Sequence, residues 1–166
     1  MLPHTAYIGV GSNLGDKAKN CLQGITALTS GAHSRLTGRS KLYRTEPVDY
    51  QDQDWFVNAV IRVETRLNPF ELLETLQSIQ RNAGRIQDTV RFGPRVLDMD
   101  ILLFDEEIIQ QPTLTVPHPR MHLRRFVLQP LCDIDPMLRH PVLHQTVQYL
   151  RDHLPDDENQ GVWELP

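Results

Sequence analysis

The stretch RFGPRVLDMDILLF, Arg91 to Phe104, decides how this chain is read. Its second half has the apolar run of a β-strand, yet Asp98 and Asp100 interrupt it. Residues two apart on a strand point to the same face. The two carboxylates therefore stand side by side at the edge of a hydrophobic core, and repel one another unless positive charge lies near. Met99 between them should face the opposite, buried side.

Working outward from this strand gives the fold. TAYIGVG (Thr5 to Gly11) alternates as a strand, and SNLGD breaks it. From Asp16 the apolar residues Ala18, Cys21, Leu22, Ile25 and Leu28 recur at helical spacing, with Gly31 as a stop. RLTGRSKLYRT (Arg35 to Thr45) reads as a second strand, EPVDYQDQD as a polar loop, and FVNAVIRVET (Phe56 to Thr65) as a third strand. Asn68, Pro69 and Glu71 form a helix opening of the capping-box kind. Leu72, Leu73, Leu76 and Ile79 then continue one helical face toward Gly84. The order β-α-β-β-α-β is an α+β, ferredoxin-like sandwich. A hairpin around EEIIQQPTLTV and helices near RRFVLQPLCDI and TVQYLRDHL are added after it. The 166 residues are expected to form a single domain.

Composition narrows the function classes. Hydrophobic residues make up 40% and charged residues 23%, ordinary for a globule. The net charge of -4 carries no basic excess for general nucleic-acid binding. No apolar run approaches a membrane span, and no charged-then-apolar leader is evident. Cys21 and Cys132 are too few and too far apart for a disulfide framework, so free thiols in a reducing cytoplasm are expected.

The aspartate pair has two readings on its own: a structural network with arginines, or a divalent metal site. Same-face Cβ atoms lie roughly 6.5–7 Å apart at about 3.3 Å rise per residue. Carboxylates at that spacing suit two Mg²⁺ ions held roughly 3.5–4 Å apart, as in two-metal phosphoryl chemistry. The context is arginine. Arg85, Arg91 and Arg95 precede the pair, and Arg120, Arg124 and Arg125 follow in PHPRMHLRRF. Acids beside a cluster of arginines around a glycine-proline turn point to a nucleotide polyphosphate. His118, between two prolines, reads as a phosphate or ribose contact. GVGSNLGD fits neither a dinucleotide fingerprint nor a Walker loop, and reads as a tight strand-to-helix turn that a ligand can approach. Asn58 interrupts an apolar strand, and either ties down a loop or reads the edge of a flat heterocycle stacked on Phe56 and Phe92 or Phe126.

Five segments in order, YIGVGSNLGD, YRTEPV, FVNAV, GRIQDTVRFGPRVLDMDILLF and TVPHPRMHLRRFVLQPL, resemble the 6-hydroxymethyl-7,8-dihydropterin pyrophosphokinase (HPPK) family. The resemblance implies a single catalytic domain that moves pyrophosphate from ATP to the pterin hydroxymethyl group and releases AMP in folate biosynthesis. It implies two Mg²⁺ ions on Asp98 and Asp100, with Arg85 and Arg95 as further catalytic residues. Gln80, Arg85, Arg95, Ile101, His118 and Arg124 are implied for ATP. Thr45, Pro47, Val48, Phe56, Asn58, Phe92 and Phe126 are implied for the pterin. The expected partners are small molecules alone, without nucleic acid or membrane, on a monomer. The sequence departs from the family pattern at Gln80, where an acid can occur, and at Gln87, where some members carry a second arginine. Phe92 replaces a frequent tryptophan, and Met99 a branched aliphatic residue. The rival readings are a pterin- and ATP-binding module with weakened activity, and a nucleotidyl transferase on the same scaffold.

Overall fold

The structure is a computed structural model, and it describes residues 3–84, 94–156 and 160–166. The elements follow the expected order. Strand β1 (His4–Ser12) leads to helix α1 (Lys17–Thr29), then to β2 (Ser34–Arg39), β3 (Tyr43–Thr45) and β4 (Phe56–Thr65). Helix α2 (Pro69–Asn82) and strand β5 (Asp98–Phe104) complete the βαββαβ unit. The hairpin β6 (Ile109–Gln111) and β7 (Leu114–Val116) follows, then a 3-10 turn at Met121–Leu123. Helices α3 (Arg125–Ile134) and α4 (Val147–Asp152) and a last strand, β8 (Val162–Glu164), end the chain. Among the described residues, no helix is long and apolar enough to cross a membrane.

The main sheet runs β5-β1-β4-β3-β8, with β2 also paired to β4. Every pairing is antiparallel. The segment Arg35 to Thr45, expected as one strand, is two. After a register shift between Leu36 and Gly38, the Ser40 hydroxyl accepts the Val60 amide at 2.9 Å. A side chain there does the work of a backbone carbonyl, so the ladder is interrupted before β3 resumes it. Strand β8 was not legible in the sequence, since three residues carry no period to detect.

Local signals explain the helices. Asp16 caps α1 by accepting the Lys19 amide at 3.2 Å. Asn68 and Glu71 form the expected capping box on α2. Gly24 lets α1 approach the residue that leads into the aspartate strand: a Cβ there would lie 2.8 Å from a Leu97 methyl. One face of the sheet, with Ala6, Ile8, Val10, Val57, Ile61 and Val63, packs on Cys21, Ile25, Leu28, Leu72 and Leu76 of α1 and α2. Each fully buried leucine there contributes about 1.5–3 kcal/mol. On the other face, Tyr7, Val60, Leu102 and Leu103 pack on Met121 and on Val127, Leu128 and Leu131 of α3. This cover reaches only part of the sheet, and the uncovered part is a cleft.

Candidate active site

The floor of the cleft is built by strand register. Asp98 of β5 lies opposite Gly11 of β1, and Asp100 opposite Gly9. On the other side of β1, Gly11 pairs with Asn58 and Gly9 with Val60 of β4. A carboxylate pair, a trough of two glycines and an asparagine thus lie side by side across three strands, and all of them line the cleft. Neighbouring strands are about 4.8 Å apart, so acids and amide stand roughly 10 Å from one another. GVG, expected both as the end of the first strand and as the opening of the strand-to-helix turn, is strand floor; the turn proper comes later, at Gly15 with φ +69°. Gly11 cannot be replaced cheaply. A Cβ there would sit 2.5 Å from the Asn58 side-chain oxygen. Two glycines spaced by one residue within a strand pattern were the available signal for this floor.

The end of the cleft beside Asn58 is amide and apolar. The Asn58 Nδ2 donates to Thr45 Oγ1 at 2.7 Å, which orients the amide and leaves its other polar sites able to face a ligand. Pro47, Val48, Phe56 and Phe126 line the same end. Asn58 ties down β3 through Thr45, the first of its two readings, and it also borders the cleft. Phe126 and Arg124 are held in place from a distance. Gln160 Oε1 accepts the Arg125 amide at 2.8 Å, and Gln160 Nε2 donates to the Leu123 carbonyl at 3.2 Å.

At the opposite end, charges gather around the aspartates. Arg95, His118 and Arg124 line the cleft with Asp98 and Asp100. Burial, then repulsion from Arg120, lowers the Arg124 pKa, while Asp49, Asp100 and Asp98 pull it back up. Arg124 is thus one positive group that both strand aspartates feel. Its guanidinium also lies 5.4 Å from the centre of the Phe126 ring, which joins the two ends of the cleft. His118 Nδ1 accepts the Arg120 amide at 3.1 Å, so the ring proton of the neutral form sits on Nε2. Burial first, then Arg124 and Arg120, push its pKa down to about 4, against a pull from Asp98. His118 is therefore neutral near pH 7 and able to donate a hydrogen bond.

Asn13, unmarked in the sequence reading, ties the loops together. It is 2% exposed. Its Oδ1 accepts the Arg95 amide at 2.7 Å, its own amide donates to the Arg95 carbonyl at 3.0 Å, and its Nδ2 donates to Gln53 Oε1 at 2.9 Å. One side chain and one amide thus fix Arg95 against the loop between β3 and β4. Gln53 and Glu46 line the cleft too, and both lie in the stretch read only as a polar loop.

Two expected site residues are not brought into the cleft. Ile101 is 4% exposed and packs in the core under α1 and α2, because strand alternation turns it away from Asp98 and Asp100. Gln80 is 3% exposed on α2, which covers that same face. Its Oε1 accepts the Met99 amide at 2.8 Å, so it braces β5 from behind. Met99 is 2% exposed, buried as expected. Arg85 and Phe92, together with Arg91 and Gln87, lie outside the described residues.

The donor set fits a hard cation. Two carboxylates two residues apart on a strand face the same cleft, with arginines near to carry an anionic ligand. Oxygen ligands of this kind suit Mg²⁺ with substrate phosphates completing its coordination.

Comparison with known proteins agrees with this geometry. The family profile of 7,8-dihydro-6-hydroxymethylpterin-pyrophosphokinase (HPPK) matches residues 7–136. A 2-amino-4-hydroxy-6-hydroxymethyldihydropteridine pyrophosphokinase of Bacillus subtilis is 48% identical over 129 residues, covering 78% of this chain and 77% of its own. Its counterpart in Haemophilus influenzae is 40% identical over 152 residues, covering 90% and 94%. A folic acid synthesis protein of Schizosaccharomyces pombe is 41% identical over 157 residues, and there the chain spans only 21% of the relative's length. Among solved structures, the wild-type HPPK-DHPS of Plasmodium falciparum shares the fold. Its TM-score is 0.70 at 16% identity, over 90% of this chain and 44% of that one. With the strand aspartates, the glycine trough and the amide pocket in one cleft, the chain belongs to the 7,8-dihydro-6-hydroxymethylpterin-pyrophosphokinase family, enzymes of folate synthesis.

Proposed function

We propose that the cleft transfers the β,γ-pyrophosphoryl group of ATP to the hydroxymethyl oxygen of 6-hydroxymethyl-7,8-dihydropterin and releases AMP. The observation that carries this reading is the register of three strands. It sets a carboxylate pair and an oriented amide on the same floor, with only glycine hydrogens between them. A flat heterocycle fits beside Asn58 and Thr45, between the aromatic rings of Phe56 and Phe126, with Pro47 and Val48 as further wall. A hydroxymethyl arm from it extends over the glycine trough toward Asp98 and Asp100.

Asp98 and Asp100 are the residues to hold two Mg²⁺ ions. When bound, these ions supply charge neutralisation for the phosphates and a lowered pKa at the attacking hydroxyl. Arg95 and Arg124 hold triphosphate oxygens, and the neutral His118 donates from Nε2 without adding a second full charge beside Arg124. The acceptor oxygen bonds to the β-phosphorus and loses its proton. The bond from that phosphorus to the α,β-bridging oxygen breaks, and AMP leaves with the bridging oxygen. Catalysis on this account is positioning plus electrostatic stabilisation, with no covalent intermediate. The roles of Arg85 and Phe92 follow from the family resemblance alone. The free Cys21 and Cys132 support a reducing, cytoplasmic setting.

The test is to incubate the protein with ATP, Mg²⁺ and 6-hydroxymethyl-7,8-dihydropterin and to follow AMP. Pterin-dependent AMP is the expected result. Release of inorganic pyrophosphate in place of AMP identifies a nucleotidyl transferase. Binding of both substrates with no product identifies a non-catalytic module.

A further inference from the structure

Asp49, an acid that lines the cleft, has no part in the chemistry above. Asp49 belongs to the segment between β3 and β4, directly after Pro47 and Val48 on the pterin side. Its carboxylate reaches across the cleft to two guanidiniums. Arg120 Nη2 donates to Asp49 Oδ1 at 2.6 Å, and Arg124 Nη2 donates to Asp49 Oδ2 at 3.3 Å. The Asp49 side chain is 21% exposed and that of Arg124 14%, so this is not a fully solvated surface pair. Each carboxylate oxygen takes one arginine, as two phosphate oxygens would.

We propose that Asp49 is a tethered anion that occupies Arg124, the triphosphate contact, together with its neighbour Arg120, and competes with the nucleotide for Arg124. The inference rests on Arg124 as a triphosphate contact. Its physical basis is charge. Two guanidiniums side by side repel, which Arg124 registers as a downward pull from Arg120 and an upward one from Asp49. A single tethered carboxylate relieves that repulsion, but carries less charge than a triphosphate. The triphosphate therefore wins the arginines, at the expense of part of its binding energy. Asp49 also sets which anions bind: those with several adjacent anionic oxygens displace it, and a lone monoanion does not. Because Asp49 follows Pro47 and Val48, its displacement releases the pterin-side loop from the nucleotide side at the moment ATP arrives.

Calorimetric titration of the full chain with Mg²⁺ and α,β-methylene-ATP, wild type against Asp49→Asn, tests this. The variant is expected to bind the analogue about 3- to 10-fold tighter, the range for freeing a partly buried ion pair. The gain should shrink as salt is raised. Matched melting curves establish that both proteins are folded. Equal or weaker binding by a folded Asp49→Asn protein overturns the proposal, since Asp49 would then be aligning the arginines rather than competing for them. Wild-type protein that forms AMP while the variant binds no tighter overturns the Asp49 role alone. Wild-type protein that neither binds the analogue nor forms AMP overturns the nucleotide reading, and the Asp49 role with it.

Discussion

The two faces of the sheet are built from the same strands and have opposite characters. Under α1 and α2, Ile8, Val10, Met99 and Ile101 are almost fully buried. On the reverse side of those same strands, Gly9, Gly11, Asp98 and Asp100 line a cleft. The hydrophobic face needs continuous cover and receives two amphipathic helices. The reverse face receives α3 over one end only, so the remainder stays open to a ligand. The fold is thus held together on one side and used on the other, and substitutions separated by a single residue should report on different properties.

The largest effect is expected on the open face. Asp98→Ala and Asp100→Ala should each lower turnover by about a thousandfold or more, several kcal/mol of lost electrostatic stabilisation, with melting temperature little changed. AMP release and a thermal melt measured on the same preparations check this. A variant near the wild-type rate would remove the metal assignment. Next comes the trough. Gly11→Ala should raise the KM for the pterin by about 10- to 100-fold, with a smaller change in the KM for ATP, because its Cβ would meet the Asn58 side-chain oxygen at 2.5 Å. Equal effects on both substrates would show that the trough does not separate a pterin end from a phosphate end.

His118 links the cleft to acid stability. Its folded pKa of about 4 lies below the ordinary value of 6.5. As pH falls from 6.5 toward 4, the unfolded chain takes up a proton that the folded protein refuses. The contribution from His118 is therefore at its most favourable above pH 6.5 and is lost on acidification, by up to about 3 kcal/mol. Urea unfolding between pH 4 and 7 should show a shallower loss in His118→Asn than in wild type, and parallel curves would rule out this source. The smallest effect belongs to the covered face. Gln80→Leu leaves the buried Met99 amide without its acceptor and should cost about 1–3 kcal/mol of stability. The KM for ATP should stay close to wild type. A raised KM for ATP without lost stability would return Gln80 to the nucleotide site.

Much of this arrangement was legible in the chain. The helical spacing from Ala18 to Leu28, the capping box at Asn68 and the alternation of DMD are local signals, and local signals survive without knowledge of partners. The aspartates stood out as charges in an apolar strand, Arg95 and Arg124 as members of an arginine cluster on either side of it, and His118 as a histidine between two prolines. Phe56 and Asn58 were singled out as an aromatic and a lone amide on an otherwise apolar strand, and Thr45 followed from the family resemblance; all three line the cleft. Less legible was anything that depends on register. Gly9 and Gly11 were placed on the first strand, but nothing in GVG says which strands lie alongside it. Asn13 and Asp49 looked like ordinary loop residues. Their partners, Arg95 for the first and Arg120 and Arg124 for the second, are distant in the chain. Gln80 and Ile101 were placed with the nucleotide by motif position, while helix cover and strand alternation put their side chains behind the sheet.

The sequence by itself determined the element order, the side on which Met99 is buried, and the pairing of Asp98 with Asp100 on one face. All three are set by periods of two or 3.6 residues along a single segment. Only the tertiary structure decided what those aspartates face. Strand register set glycines beside them and Asn58 beyond, partial cover by α3 left the space open, and the fold of the β3–β4 segment carried Asp49 across to the arginines. Side-chain spacing along one segment is local, whereas register, cover and loop placement are settled by which distant surfaces exclude water together.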